Sequence, residues 1–179
     1  NNKIGFLYKK ASRKNITKLK VYDLFKKNNF VEFPEQGFKE LDVICKMIRK
    51  YNGGCLFIDY GYINKNNSNT LQSIKSHKYN DITKNIGNAD ITSLVDFSLY
   101  KKYFDINGLQ VENVITQSEF LQKLGMLERA KILSKNMNKK EKKDLFFRLQ
   151  RLIDVKFMGE QFKVIFSKNK KCNFSLAFK

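Results

Sequence analysis

The chain is 179 residues long, about one domain by length, and 42% of its residues are hydrophobic, including 16 Phe and 8 Tyr, enough to bury a core. No apolar run approaches the roughly 20 residues of a membrane-spanning helix, and the first residues lack the basic and apolar regions of a secretory signal. The net charge of +18 invites a nucleic-acid reading, but the basic residues are scattered and mostly Lys, which excludes a focused basic motif. Abundant Lys, Asn and Ile, a single Pro and no Trp read instead as the composition of an AT-rich genome. With no initiator Met, the chain is expected to begin inside a larger reading frame.

Along the chain, Ile4 to Tyr8 is a short β-prone run after an Asn-Asn turn signal, the expected returning arm of a hairpin. Lys9 to Asn29 is basic and weakly patterned, with Lys26 to Asn29 as a solvated loop. Phe30 to Phe33 is a brief strand or extended segment closed by Pro34. Phe38, Leu41, Ile44, Cys45 and Ile48 then recur at three- and four-residue steps, predicting a helix from Glu35 or Gln36 to Tyr51. Gly53 and Gly54 can supply its left-handed stop. Cys55 to Ile58 follows as an unbroken apolar run, the pattern of a strand covered on both faces in a parallel sheet. Asp59 places a carboxylate where that strand leaves the sheet, and open α/β sheets bind ligands outside the carboxyl ends of their strands. Asp59 could equally cap the loop, with Tyr60 and Tyr62 covering the sheet edge.

Ile63 to Ala89 is polar and without periodicity, so it reads as a long loop carrying Thr70-Leu71-Gln72 and the chain's single histidine, His77. Thr92 or Ser93 is expected to cap a helix with Asp96 near its first turn, running to about Phe104. Leu109 to Ile115 is a strand candidate, and Thr116-Gln117-Ser118-Glu119 is a capping-box signature opening a helix that Gly125 closes. Leu127 to Met137 and Lys139 to Ile153 read as helices, the latter with a stripe of Leu145, Phe146, Leu149, Leu152 and Ile153. Phe162 to Phe166 is a clear strand, and Ser167 to Lys179, with Phe174, Leu176 and Phe178, is an added edge strand or a loosely packed tail. Cys45, Cys55 and Cys172 have no metal-ligand spacing; the first two read as small core hydrophobes, and a reducing cytoplasm fits best. A single His argues against a His-based zinc site or a Ser-His-Asp triad, and no glycine-rich nucleotide loop, nucleophile elbow or HExxH motif is present. Asp90 and Asp96 could flank a cleft or simply cap helices. The residues alone support an α/β domain with its ligand-bearing half absent.

The ordered blocks Gly54 to Tyr62, Thr70-Leu71-Gln72 with His77, Ala89-Asp90-Ile91-Thr92 with Val95-Asp96-Phe97, Thr116-Gln117 with Phe120-Leu121 and Leu124-Gly125, and Met158-Gly159 with Phe162-Lys163-Val164 resemble a known family. They are similar to the C-terminal half of the MidA-type (DUF185) class I S-adenosylmethionine-dependent methyltransferases, whose mitochondrial members methylate an arginine of a respiratory complex I subunit and support that complex's assembly. The resemblance runs from about Phe30 to Phe166 and departs from it at Leu94, where many bacterial relatives carry His. The family's upstream glycine-rich cofactor loop, acidic ribose-binding strand end and Asn-Glu-Phe-Phe-Asp-like segment have no counterpart here. It implies the C-terminal half of a Rossmann-like, doubly wound sheet, strands five to seven with their helices. The N-terminal cofactor-binding half, and S-adenosylmethionine with it, would lie outside the chain.

The implied organisation is a hairpin remnant and basic connector over 1–34, the C-terminal part of the methyltransferase domain over 35–166, and a tail over 167–179. Asp59 and Tyr60 become the catalytic candidates; Gly61, Tyr62, Asp90 and Asp96 become substrate-binding candidates, the tyrosines facing a guanidinium by cation–π contact and the acids by charge. No residue is assigned to cofactor or metal. The implied partners are a protein substrate, such as a complex I subunit, and the missing half of the enzyme, with no nucleic acid and no membrane span. A non-catalytic basic nucleic-acid-binding or assembly module is the alternative function. A sheet cut beside its fifth strand is also expected to leave the isolated chain poorly soluble, molten or oligomeric.

Overall fold

The computed structural model describes residues 4–24, 30–63, 68–175 and 177–178, and the chain divides into two units. One takes Pro34–Asn64 with Val95–Lys179, the other Asn1–Phe33 with Lys65–Leu94. In chain order the elements are α1 (Arg13–Val21), α2 (Glu35–Tyr51), β1 (Gly54–Tyr62), β2 (Gln72–Lys75), β3 (Lys78–Asn80), β4 (Asp90–Thr92), β5 (Val95–Asp96) and α3 (Phe97–Ile106). There follow β6 (Gln110–Val111), β7 (Ile115–Thr116), α4 (Gln117–Lys123), α5 (Met126–Ser134), α6 (Lys139–Ile153), α7 (Met158–Gln161) and β8 (Phe162–Lys168).

The first unit is built on α2, β1 and β8. α2 has the expected bounds, and Phe38, Leu41, Cys45 and Ile48 of its stripe are buried while Ile44 is exposed. Its left-handed stop falls on Asn52 (φ 54°) rather than on the glycines, since Asn also tolerates that conformation. Gly54 is instead needed for closeness, because a Cβ there would lie 2.9 Å from the Phe166 ring. β1 pairs antiparallel with β8 from Gly54 to Tyr60 and parallel with β5 only at Gly61 and Tyr62. The strand order is β5-β1-β8-β6, with β7 also on β8.

This corrects two expectations. Most of β1's pairing is antiparallel, and β1 is not covered on both faces by the described residues, with Leu56 41% and Ile58 44% exposed. An apolar run reports burial potential, not the direction of the neighbour. The strand that is covered is β8, buried from Lys163 to Lys168. Its two lysines are tolerated because each is paired. Lys168 Nζ reaches Glu112 Oε1 at 2.9 Å and donates to the Phe174 carbonyl, and Lys163 Nζ meets Glu160 Oε1 at 2.9 Å.

On the α2 side of the sheet, Tyr103 stacks on Phe38 at 4.2 Å between centroids, and Phe57 stacks on Phe104 at 5.8 Å. The helix expected to start at Thr92 or Ser93 begins at Phe97 with Asp96 as its N-cap, whose carboxylate accepts from the Leu99 N–H. The Leu109 to Ile115 strand is two short pieces, β6 and β7, interrupted at Glu112–Val114. Thr116 caps α4 as its signature implies, and buried Gln117 donates to the Leu152 carbonyl, tying α4 to the end of α6. α6 follows its predicted bounds, held by an unforeseen capping box between Asn138 and Glu141. Ser167 and Lys168 of the tail extend β8, and the described residues beyond them form no strand; Phe178 stacks on Phe166 and meets Phe120, both at 5.8 Å. Leu176 lies outside the described residues.

The second unit overturns the long-loop expectation. β2 and β3 form a hairpin turned at Ser76 and His77 (φ 48° and 63°), and β4 pairs with β2 on its other side. Polar side chains hold this small sheet: Asn80 donates to Oγ of buried Ser73 at 3.1 Å and to the Asp81 and Lys84 carbonyls. Hence no apolar alternation announces it. α1, capped by Ser12, replaces part of the featureless basic stretch and has no buried residue. Ile4 to Tyr8 and Phe30 to Phe33 form no strand, and Lys26 to Asn29 lie outside the described residues. Among the described residues no helix is long and apolar enough to cross a membrane.

Candidate functional site on strand β1

Side chains alternate along β1, so Phe57 and Asp59 face the α2–α3 layer, while Tyr60 faces away and meets Phe162 edge-on at 5.5 Å. Asp59 lines a pocket of about 290 Å³ together with Glu40, Ile44, Phe57, Phe97 and Tyr100. Its Oδ1 accepts the Tyr60 N–H at 2.8 Å. Burial pushes the Tyr100 phenol above its ordinary value, and the Asp59 carboxylate adds to the shift. The pocket therefore combines two carboxylates with an apolar and aromatic wall.

Asp59 is thus joined by two residues that sequence reasoning missed, Glu40 and Tyr100. A signal existed for Glu40: with Gly37 and Ile44 it recurs at helical spacing along the border of α2's core stripe. Tyr60 is not brought into this pocket. Gly61 and Tyr62 pair with Val95 and Asp96. A Cβ on Gly61 would overlap the Val95 carbonyl and sit 2.8 Å from the Phe97 ring. Gly61→Ala is therefore expected to cost about 1–3 kcal/mol, read as a lower urea midpoint at unchanged slope.

Asp96 is the cap of α3. Burial raises its pKa above the ordinary 3.8, partly offset by the Leu99 and Ser98 N–H groups. A raised carboxyl pKa favours the folded state below the unfolded value, and that contribution is lost as pH rises through the folded one. At pH 7 the buried charge therefore works against folding, and Asn caps as well as Asp. Asp96→Asn is expected to be at least as stable as wild type at pH 7, with its advantage gone below about pH 3.8, in urea melts across that range.

Asp90 lies exposed on β4 of the second unit, opposite Ile74. Thr70 is a structural anchor in that unit. Its N–H and hydroxyl donate to the two Glu32 carboxylate oxygens (2.9 and 2.5 Å), and its Oγ1 accepts the Leu94 N–H at 2.9 Å. Leu94 thus contributes its backbone, which any residue supplies. The turns entering α3 and α4 from strands are closed by their own caps, Asp96 and Thr116, and neither contains glycine. Among the described residues no group of three His, Cys, Asp or Glu converges as metal ligands. Burial pushes the Cys55 thiol up to about 11, so it stays protonated at neutral pH.

The sequence pattern of a family of S-adenosyl-L-methionine-dependent methyltransferases matches residues 7–115. Over 121 residues the chain is 30% identical to the protein arginine methyltransferase NDUFAF7, mitochondrial, of Xenopus tropicalis, covering 67% of this chain and 28% of that protein. The Danio rerio protein of the same name is 30% identical over 122 residues, with the same two shares. The chain thus spans about 28% of the length of these curated relatives. A COG1565 superfamily member from Burkholderia thailandensis, solved bound to S-adenosyl-homocysteine, shares the fold. Its TM-score is 0.73 at 22% identity, over 93% of this chain and 44% of that one.

Proposed function

Since this chain belongs to the S-adenosyl-L-methionine-dependent methyltransferase family, we propose that it is part of a protein arginine methyltransferase and carries the substrate side of its cleft. The observation that supports this is the placing of Asp59 in the second half of β1, three residues before its end at Tyr62, in a pocket shared with Glu40 and Tyr100. A guanidinium is planar, permanently charged and matched by carboxylates, while aromatic faces accept its flat surface. In this reading Asp59 positions the substrate arginine, with Glu40 and Tyr100 beside it. Tyr60 serves from the opposite face of the strand, and Gly61, Tyr62, Asp96 and Asp90 are the further substrate-side candidates. Methyl transfer depends mainly on bringing two reactants into line, and the group that supplies the methyl is S-adenosylmethionine.

The residues described do not compose a site for that cofactor. Gly53 and Gly54 precede a strand instead of following one, Gly61 is packed against Val95 and Phe97, and both strand-to-helix turns are closed by caps. We place the cofactor on a part of the enzyme outside residues 1–179, so that this chain alone is inactive. Residues 35–166 would be the C-terminal part of the methyltransferase domain, 1–34 its connector and 167–179 a tail. By analogy with the named relatives, the substrate is a protein, and a subunit of respiratory complex I is the specific proposal. The free thiols suit a reducing compartment; the sequence alone points to the cytoplasm, the relatives are named mitochondrial, and fractionation of the tagged protein distinguishes the two.

The test is methyl transfer from tritiated S-adenosylmethionine by the complete reading frame that contains residues 1–179, followed by acid hydrolysis and amino-acid analysis of the labelled protein. Methylarginine is expected. Label on lysine, on a small molecule or on nothing sinks the proposal. Residues 1–179 alone are expected to give no transfer and no heat of cofactor binding by calorimetry.

A further inference from the structure

Six residues of α6 share one exposed face. Spacing at 3.6 residues per turn places Lys139, Lys140, Lys143, Phe146, Phe147 and Arg151 within an arc of about 140°. All six are exposed, Phe146 by 48% and Phe147 by 57%, while Leu149 on the other side of the helix is buried. Phe146, expected in the buried stripe, borders it instead, and Phe147 lies nearly opposite Leu149. No acid falls inside the arc: Glu141 is held in the N-terminal capping box, and Asp144 pairs with Arg148 at 3.0 Å. A row of lysines by itself is a solvated surface. Two adjacent phenylalanines set among them are not, because their rings gain nothing from water.

The chemistry of the face selects among occupants. A second copy laid against it symmetrically would bring like charges together. Nucleic acid has the opposite charge, but a helix that reads a groove turns hydrogen-bonding side chains to the bases, and here phenylalanines hold the centre of the face. Single strands run along grooves, whereas this helix face is convex. Protein interfaces are depleted in Lys and favour Trp, Tyr and Arg, yet three of the four cations here are Lys. An anionic bilayer accepts both halves of the face without any matching shape. Lysine stems keep their ammonium groups at the headgroups while neighbouring rings enter the acyl boundary, and each cation near such a surface adds attraction.

We propose that this face of α6 is a peripheral membrane-binding surface, which lays the helix along an anionic lipid bilayer. Phe146 and Phe147 insert between the headgroups, and Lys139, Lys140, Lys143 and Arg151 lie at the level of the lipid phosphates. The helix rests on the bilayer and does not cross it, and among the described residues no helix is long and apolar enough to do so. The inference goes beyond the proposed function and does not depend on it, since α6 would hold a methyltransferase or an inactive module at the membrane alike.

The test is flotation of the protein made from the complete reading frame that contains residues 1–179. The vesicles are phosphatidylcholine alone, or phosphatidylcholine and phosphatidylserine at about two to one. The mixed vesicles are expected to bind at least about tenfold more tightly, with an affinity that falls as salt rises. Phe146→Ser with Phe147→Ser keeps every charge and is expected to weaken binding about tenfold. Lys139→Gln, Lys140→Gln and Lys143→Gln together are expected to weaken it on the order of 10²-fold. Lys9→Gln, Lys10→Gln and Lys14→Gln remove the same charge elsewhere and are expected to change it far less. All these positions are exposed, and circular dichroism verifies each fold. Five outcomes overturn the proposal: no binding of the complete protein to mixed vesicles, equal binding to both kinds, equal loss from the two lysine triplets, full binding by the phenylalanine variant, or tighter binding of polyuridylate or polyglutamate through the same lysines. The last of these assigns the face to a nucleic acid or to an acidic protein instead.

Discussion

Asp59→Asn in the complete enzyme is expected to lower methyl transfer about 10²-fold with the fold intact. The introduced amide retains an oxygen for the Tyr60 N–H that Asp59 now satisfies, so the local backbone keeps its hydrogen bond. What disappears is the charge, and with it the attraction for a guanidinium in a pocket walled by Ile44, Phe57 and Phe97. A second readout requires no substrate. The Asp59 charge contributes to the raised Tyr100 pKa, so the substitution should lower the phenol's titration midpoint, followed by ultraviolet absorbance in residues 1–179 alone. Tyr60→Phe keeps the ring contact with Phe162 and removes only the hydroxyl, which isolates that group's part in the reaction. Wild-type transfer rates in both variants, with folding verified, would make this strand end structural.

Tyr103→Ala is expected to destabilise the chain by about 3–5 kcal/mol, the largest stability effect we anticipate, measured as a drop in the urea midpoint. The ring is 2% exposed, stacks on Phe38 and meets Phe104 edge-on. Its hydroxyl donates to Asp42 Oδ1 at 2.5 Å, with the Phe38 carbonyl oxygen at 3.0 Å as an alternative acceptor on the same helix, pinning α3 to α2. Tyr103→Phe preserves the stacking and removes the hydrogen bond, for about 1–2 kcal/mol. If the two variants lose equally, the hydroxyl holds the helices together; if only Ala is costly, the ring does.

The parts of the molecule that the sequence announced are those where one physical signal dominates. α2 and α6 show helical periodicity, β8 is a β-prone run between clear stops, and Thr116 announces its own cap. Asp59 stood out as the carboxylate that closes an apolar run, but the run did not fix the strand's end, because β1 continues to Tyr62 with Leu56 and Ile58 exposed. The hairpin of β2 and β3 was not, because Ser73 and Asn80 stabilise it through polar side chains instead of an apolar face. The start of α3 slipped by several residues because Thr92, Ser93 and Asp96 are all competent caps and only packing selects Asp96. The Glu32–Thr70–Leu94 clasp joins residues distant in sequence, and no local pattern encodes such a contact. Glu40 and Tyr100 were hidden for a related reason: each sits on a helix whose stronger stripe points elsewhere.

The burial of β8 between β1 and β6 has a consequence for synthesis. Among the described residues β8 comes last in chain order, yet it is the strand on which β1, β6 and β7 all close. Roughly 100 residues separate Tyr62 from Phe162, so at about 5–20 residues per second the ribosome leaves β1 without this neighbour for on the order of 5–20 s. During that interval Cys55, Leu56, Phe57 and Ile58 emerge as a bare apolar ribbon. A nascent chain in that state is a client for holdase chaperones, and premature termination anywhere before Lys168 releases a product that cannot shut its sheet.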